Sequence, residues 1–217
     1  MPNPVLDLVT LQSEATSFAA EESAHEEPVL YGVTDGKAIG TYLEHKFRNY
    51  LAVRFTFDAG NSASGIDFPG LAVDMKVTSA KQPQSSCPFK SAKEKIYGLG
   101  YSLLVFVYDK TDDAALKTSR LQIAHTIFVD AAYTGDFQTT KGLLEILARG
   151  GNEDDVVGFL FERNLPLDEI AANQLAAEIL SSPPKLGYLT ISNALQWRLQ
   201  YKRVIDLAGT VAGVLRL

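Results

Sequence analysis

The amino-acid sequence predicts an α/β (α+β) protein. It should have a mixed central β-sheet of about five strands flanked by helices, followed by a helical C-terminal part. Three observations lead there. Ile39, Leu43 and Phe47 recur at four-residue steps, the spacing of an apolar helix stripe. The runs YSLLVFVYDK (101–110) and LQIAHTIFVD (121–130) are rich in β-formers, and the first is almost continuously apolar, as a strand buried on both faces is. From Thr139 onward the apolar spacing is helical, punctuated by Gly150-Gly151, Pro166 and Pro183-Pro184.

Taken in order, residues 4–20 read as a helix and the acidic run after them as a loop ending at Pro28. A helix starts near Thr34 or Asp35, either of which can cap it. LAVRFTF (51–57) alternates and reads as a strand; DAGNSASG (58–65) reads as a loop. GIDF (65–68) is extended, Pro69-Gly70 reverses the chain, and LAVDMKVTS (71–79) returns as the second arm of a hairpin. Alternation there sends Leu71, Val73, Met75 and Val77 one way and Asp74 and Lys76 the other. Residues 80–88 form a polar loop, and Phe89 to Leu99 a helix. Further helices are expected over 139–149, 153–163, 167–181 and 190–203. A three-strand meander followed by a helical crossover then gives the mixed sheet.

The 217 residues suffice for one ample core, or one core with a smaller lobe. No apolar run approaches the ~20 residues that span a bilayer, and no signal peptide is visible at the N-terminus. The single cysteine, Cys87, forms no internal disulfide, which fits a cytoplasmic location. There is no phosphate-binding loop, no dinucleotide fingerprint and no His/Cys cluster for zinc. The formal net charge of -6 argues mildly against nucleic acid, but the charge is uneven. Residues 76–97 carry Lys76, Lys81, Lys90, Lys93 and Lys95 against Glu94 alone. Residues 185–205 carry Lys185, Arg198, Lys202 and Arg203 and no acid. Phosphate contact is local, so either stretch could meet DNA; both also fit an ordinary solvated surface.

The chemistry concentrates on Asp67, Asp74 and Lys76. Two carboxylates brought face to face repel one another and favour a bound cation. Both are hard oxygen ligands, so Mg2+ is the expected ion, with Mn2+ possible. Lys76 lies two residues beyond Asp74 and projects on the same strand face. Its ammonium could orient an attacking water and offset charge on a phosphodiester in hydrolysis. The acid-x-Lys triplet alone is weak: Asp35-x-Lys37 and Glu44-x-Lys46 also occur, both at helical positions. Position on a strand, after a turn carrying another Asp, separates Asp74-x-Lys76 from those two. An ordinary ion pair on a charged strand face fits the same residues.

Asp67, six intervening residues and Asp74-Met75-Lys76, within an expected α-β-β-β-α-β order over residues 35–130, resemble the PD-(D/E)xK nuclease superfamily, and more narrowly a type II restriction endonuclease. The resemblance implies a restriction-endonuclease-like core over 35–130. It also implies metal binding by Asp67 and Asp74, catalysis by Lys76, and a further metal ligand on the preceding helix, where Glu44 matches. Two departures stand out: Ile66, not Pro, precedes the first acid, and the second acid is Asp rather than the commoner Glu. The phrases TTKGLLEIL and TISNALQWRLQYKRVI also look like parts of bacterial restriction enzymes. The activity implied is Mg2+-dependent hydrolysis of double-stranded DNA leaving 5′-phosphates, by a homodimer, with a cognate DNA methyltransferase acting on the same site. A repair or recombination nuclease of the same fold, and a catalytically silent DNA-binding module, stay open.

Residues 1–34 would then form an N-terminal helix and acidic loop, and 131–217 a helical lobe for DNA recognition or dimerisation. Lys90, Lys93 and Lys95 would face the DNA backbone. Asn193, Gln196 and Arg198 would lie on a recognition helix, since Asn, Gln and Arg pair with base edges. The same helix could equally be packing through Leu195, Trp197 and Leu199. Leu143, Leu144 and Ile146, or the tail LAGTVAGVLRL, could supply a dimer interface.

Overall fold

The structure, a computed structural model, describes residues 2–58, 60, 65–86, 91–192 and 198–217. The chain begins with helix α1 (Leu8–Ala24), capped by Asp7, whose carboxylate accepts the Thr10 N–H at 2.7 Å. A short strand β1 (Glu26–Glu27) follows, then α2 (Gly36–Ala52), capped by the Asp35 carboxylate as its sequence suggests. Next come β2 (Val73–Ser79), β3 (Gln84–Ser86), α3 (Ala92–Tyr97), and the long strands β4 (Ser102–Asp113) and β5 (Thr118–Val129). Helices α4 (Phe137–Ala148), α5 (Glu153–Glu162) and α6 (Glu169–Ser181) follow. The chain ends with β6 (Thr190–Ser192), β7 (Arg198–Gln200), α7 (Lys202–Leu207) and β8 (Val214–Arg216).

Among the described residues the main sheet has five strands. The order is β1-β5-β4-β2, with β8 also on β5. β2 runs parallel to β4, so that Asp74 pairs with Leu103 and Lys76 with Val105. β4 and β5 pair antiparallel, with an irregularity between Val107 and Tyr108. The sheet is therefore mixed and flanked by helices, as expected. On one face α1 and α2 bury Leu11, Phe18, Leu43 and Phe47 against Met75, Leu104 and Phe106. On the other, Leu103, Val105 and Val107 meet Leu189, Ile191, Leu199, Tyr201 and Val204. With both faces covered over Leu103–Tyr108, that half of β4 has no solvated side to carry polar residues, which explains its apolar run; the strand turns polar where it emerges at Asp109. Helices α3 to α6 close a separate cluster around Leu143, Val156, Leu160 and Ile179.

Several expected elements differ. LAVRFTF is not a strand. Leu51 extends the series Ile39, Leu43, Phe47 by one more four-residue step, so the helix claims it, and only Thr56 makes a β-bridge, to Val5. The hairpin before β2 shrinks to one bridge, Phe68 to Val73, around a single helical turn at Pro69–Leu71. Ala72 leaves that turn with φ +50°, a left-handed conformation that aims the chain into β2. The three-strand meander is thus replaced by one strand, β2, that reaches β4 through α3. The helix expected over 190–203 is instead the pair β6 and β7, followed by α7. Ile191 and Leu199 alternate with polar neighbours, and both are buried, so a strand period serves them.

The tail is also committed inside the fold. β8 joins β5, and Val214 is buried; Leu143 and Ile146 lie in the core beneath α4. Of the residues expected at a dimer interface, Leu143, Ile146 and Val214 are thus buried within the fold, while Leu215 is exposed. No helix among the described residues is long and apolar enough to cross a membrane.

Candidate active site

β2 is the outer strand of the main sheet on its side, so its far edge has backbone groups without a strand partner. Asp67 uses that edge. Its Oδ2 accepts the Met75 N–H at 2.8 Å, and its Oδ1 is gripped by the Arg48 guanidinium. Asp67 therefore sits on the turn before β2 rather than on a strand, yet still stands beside Asp74. Asp74 is 3% exposed, and Lys76 Nζ lies 2.6 Å from its Oδ2. That contact is a close ion pair off the direction of a hydrogen bond, so Oδ2 remains a buried acceptor without a donor aimed at it. Burial pushes the Asp74 carboxyl up to about 7; Lys76 pulls against the rise and the neighbouring Asp67 adds to it. Glu44, on α2, is also raised, first by burial and then by the charge of Asp67, with Lys76, Arg48 and His45 opposing. The sequence-predicted residues Asp67, Asp74, Lys76 and Glu44 are thus brought into one electrostatic neighbourhood.

Among the described residues, no three His, Cys, Asp or Glu side chains converge as a ready-made metal cage. The donor chemistry nonetheless fits a hard divalent cation. The set is all carboxylate oxygen, the Asp74 carboxylate is buried, and the acids raise one another's affinity for positive charge. Arg48 is the residue that sequence reasoning missed. It stands four positions after Glu44 on the same helix, and that spacing was the available signal. Its guanidinium supplies the positive charge at Asp67, while its Nε is buried without a hydrogen-bond partner. Arg48→Ala is expected to lower metal-free stability by about 1–3 kcal/mol, because Asp67 loses one of its two donors. It should also tighten Mn2+ binding, because the cation no longer competes with a guanidinium. Thermal unfolding and calorimetric Mn2+ titration check both; weaker Mn2+ binding would contradict the competition.

The other acid-x-Lys triplets do not bring their acid and lysine together as Asp74 and Lys76 do. Asp35 caps α2, and Lys46 turns away to Glu22 at 2.9 Å. Of the lysines expected at DNA, Lys93 is exposed and pairs with Glu178 on α6 at 2.5 Å, whereas Lys95 is only 3% exposed and packs inside. Lys90, Asn193 and Gln196 lie outside the described residues. The second basic stretch is largely engaged as well. Arg203 stacks on Phe137, Lys185 lies over Tyr133, and Lys202 pairs with Asp206. Arg198, on β7 rather than on a helix, lines a cleft of about 920 Å3 together with Glu44 and Lys76. Lys37, Lys81 and Lys110 line the same cleft, so cations outnumber its acids, Glu44 and Asp112.

A mixed sheet flanked by helices, with Asp67, Asp74 and Lys76 gathered at one edge strand, has the architecture of the restriction-endonuclease-like class. The family model described as "Type II restriction enzyme NspV" matches residues 5–216. The chain is 62% identical over 211 residues to the type II restriction enzyme NspV of a Nostoc sp., covering 97% of this chain and 96% of that protein. No solved structure matches it. The chain belongs to the NspV family of type II restriction enzymes, and it is an endodeoxyribonuclease.

Proposed function

We propose that this enzyme cleaves both strands of duplex DNA at Asp74 and Lys76, with Mg2+ as its ion and Mn2+ as a substitute. The observation that carries the reading is the buried Asp74 carboxylate in close ion contact with Lys76, near a cleft whose charged side chains are mainly cationic. Asp74, Asp67 and Glu44 would hold the metal, which when bound supplies Lewis acidity toward the scissile phosphate. Lys76 orients the attacking water and offsets the charge that grows on the phosphorus centre. Water forms the new P–O bond as the bond to the 3′ oxygen breaks, leaving a 3′-hydroxyl and a 5′-phosphate. Lys37, Lys81 and Lys110 hold the DNA backbone in the cleft, which makes binding salt-dependent.

Duplex sites with two-fold symmetry suit a homodimer, each copy cutting one strand. A cognate methyltransferase modifying the same site would protect the host's DNA, and the enzyme would act in the cytoplasm. Plasmid DNA incubated with the protein should yield discrete fragments in Mg2+ or Mn2+ and stay intact in EDTA. Structure-dependent nicking in place of fragments would favour a repair role, and no cutting in any divalent ion would end the reading.

A further inference from the structure

The small sheet β3-β7-β6 is not used by the chemistry described above, and its two faces differ sharply. In the register of the three strands, Ser85, Leu199 and Ile191 lie opposite one another, as do Gln84, Gln200 and Thr190, and Ser86, Arg198 and Ser192. Directly paired residues share a face, so the central set points one way and both flanking sets point the other. The central set is structural. Leu199 and Ile191 are buried against β4, and Ser85 Oγ lies 2.6 Å from the Tyr201 hydroxyl. The opposite face therefore consists of glutamine, arginine, serine and threonine throughout. Gln84, Ser86 and Arg198, together with Ser85 between them, line the cleft that also holds Glu44 and Lys76; Gln200 lies beside Gln84 and Thr190 in the register, beyond the cleft's lining.

That face is held rigidly to the site. Thr78 lies two residues beyond Lys76 on β2, about 7 Å along the strand. Its Oγ1 accepts the Gln84 N–H at 2.9 Å and lies 3.1 Å from the Gln84 carbonyl. The buried Asp136 at the start of α4 accepts the Ile191 N–H at 2.9 Å and so fixes β6. Tyr201 N–H donates to the Pro83 carbonyl at 2.8 Å, joining the ends of β7 and β3. A residue on this sheet therefore keeps a fixed offset from Lys76, within the reach of a few base-pair steps.

We infer that the polar face of the β3–β7 ribbon reads the DNA sequence in the major groove, with Gln84, Gln200 and Arg198 as the specificity-determining side chains. The major groove admits the width of two strands, and β3 and β7 form such a pair, with β6 on the far edge of β7. Glutamine pairs bidentately with adenine and arginine with guanine, while serine and threonine serve either base. The inference rests on the proposed cleavage site, because it takes Lys76 as the point from which bases are counted.

The test profiles cleavage of a plasmid library carrying a randomised duplex segment, in Mg2+, with the cut ends sequenced. Three proteins are compared: the unmodified enzyme, Gln84→Ala and Arg198→Lys. The lysine keeps the charge and loses the planar fork. Each substitution should relax preference at a single base-pair position per half-site, raising relative kcat/KM for the altered base on the order of ten- to a hundredfold. Other positions and Tm should stay as they are. An unchanged profile in both variants overturns the inference. So does an even loss of activity across all sequences, which would mark a backbone contact. If the unmodified enzyme gives no fragments at all, the cleavage reading fails first, and the two failures are thereby told apart.

Discussion

Asp74→Asn is expected to slow DNA cleavage by a factor on the order of a thousand or more, while the protein still folds. The substitution keeps the shape of a nearly fully buried side chain and removes the charge that would draw a cation into the site. Single-turnover plasmid cleavage in Mg2+ measures the loss, and a rate like that of the unmodified enzyme sinks the mechanism. Stability should move the other way. The folded-state carboxyl is raised to about 7, above its unfolded value of about 3.9. The folded protein therefore holds the proton more tightly, and this contribution to stability is fully present below about pH 4 and lost as pH rises through about 7. Asparagine mimics the protonated acid at every pH. The metal-free variant should thus be more stable than the unmodified protein above pH 7, with the gain fading below pH 4. Mg2+ should raise the Tm of the unmodified protein and leave the variant's nearly unchanged. Thermal unfolding across pH, with and without Mg2+, checks both signs. A site that costs stability when empty and recovers it on binding is what a carboxylate desolvated beside a second acid implies.

Phe47→Ala should produce the largest stability loss. Phe47 is fully buried on α2, and its ring meets Phe18 at 4.9 Å, Phe106 at 5.3 Å, Tyr50 at 6.2 Å and Phe68 at 6.3 Å between centroids. Removing it deletes one partner from four aromatic contacts and leaves a cavity, a change worth roughly 3–5 kcal/mol. For a chain of this length that corresponds to a fall in Tm of roughly 6–20 °C. The same ring supports the site, because Phe68 follows Asp67 directly and Arg48 follows Phe47. Cleavage should accordingly lose activity at temperatures where the unmodified enzyme is still fully active, and recover on cooling. A Tm change under about 3 °C would mean that the cavity collapses and that this cluster is not the joint between α2 and the site.

The candidate site residues stand out in the sequence because their signal is local. Asp74 and Lys76 are two apart on a strand, and a strand puts such residues on one face whatever surrounds it. The proline and glycine after Asp67 marked the turn that returns it to Asp74. Glu44 stood out only through a resemblance, since nothing in a helical glutamate tells which face meets a strand thirty residues away. Arg48 carried even less signal. Its role depends on Asp67 lying at the edge of β2, and that edge exists only once the sheet has formed.

The sequence alone established what the backbone decides nearby. Helix α2 announces itself by its stripe and by the Asp35 cap, β4 by its apolar run, and α4 to α6 by their spacing and stops. Asp74 and Lys76 share a strand face for the same short-range reason. Tertiary structure alone decided which strand pairs with which. The parallel union of β2 and β4, the joining of β8 to β5, and the ribbon of β3 with β7 link residues far apart in the chain. Such pairings depend on which apolar faces find one another, and a period of two looks the same beside any neighbour. That is why LAVRFTF alternates like a strand and yet ends a helix: Leu51 is buried by the stripe that began at Ile39. For the same reason Arg198 looked like part of a recognition helix. Only the burial of Leu199 against the main sheet turns Arg198 outward, into the cleft that holds Lys76.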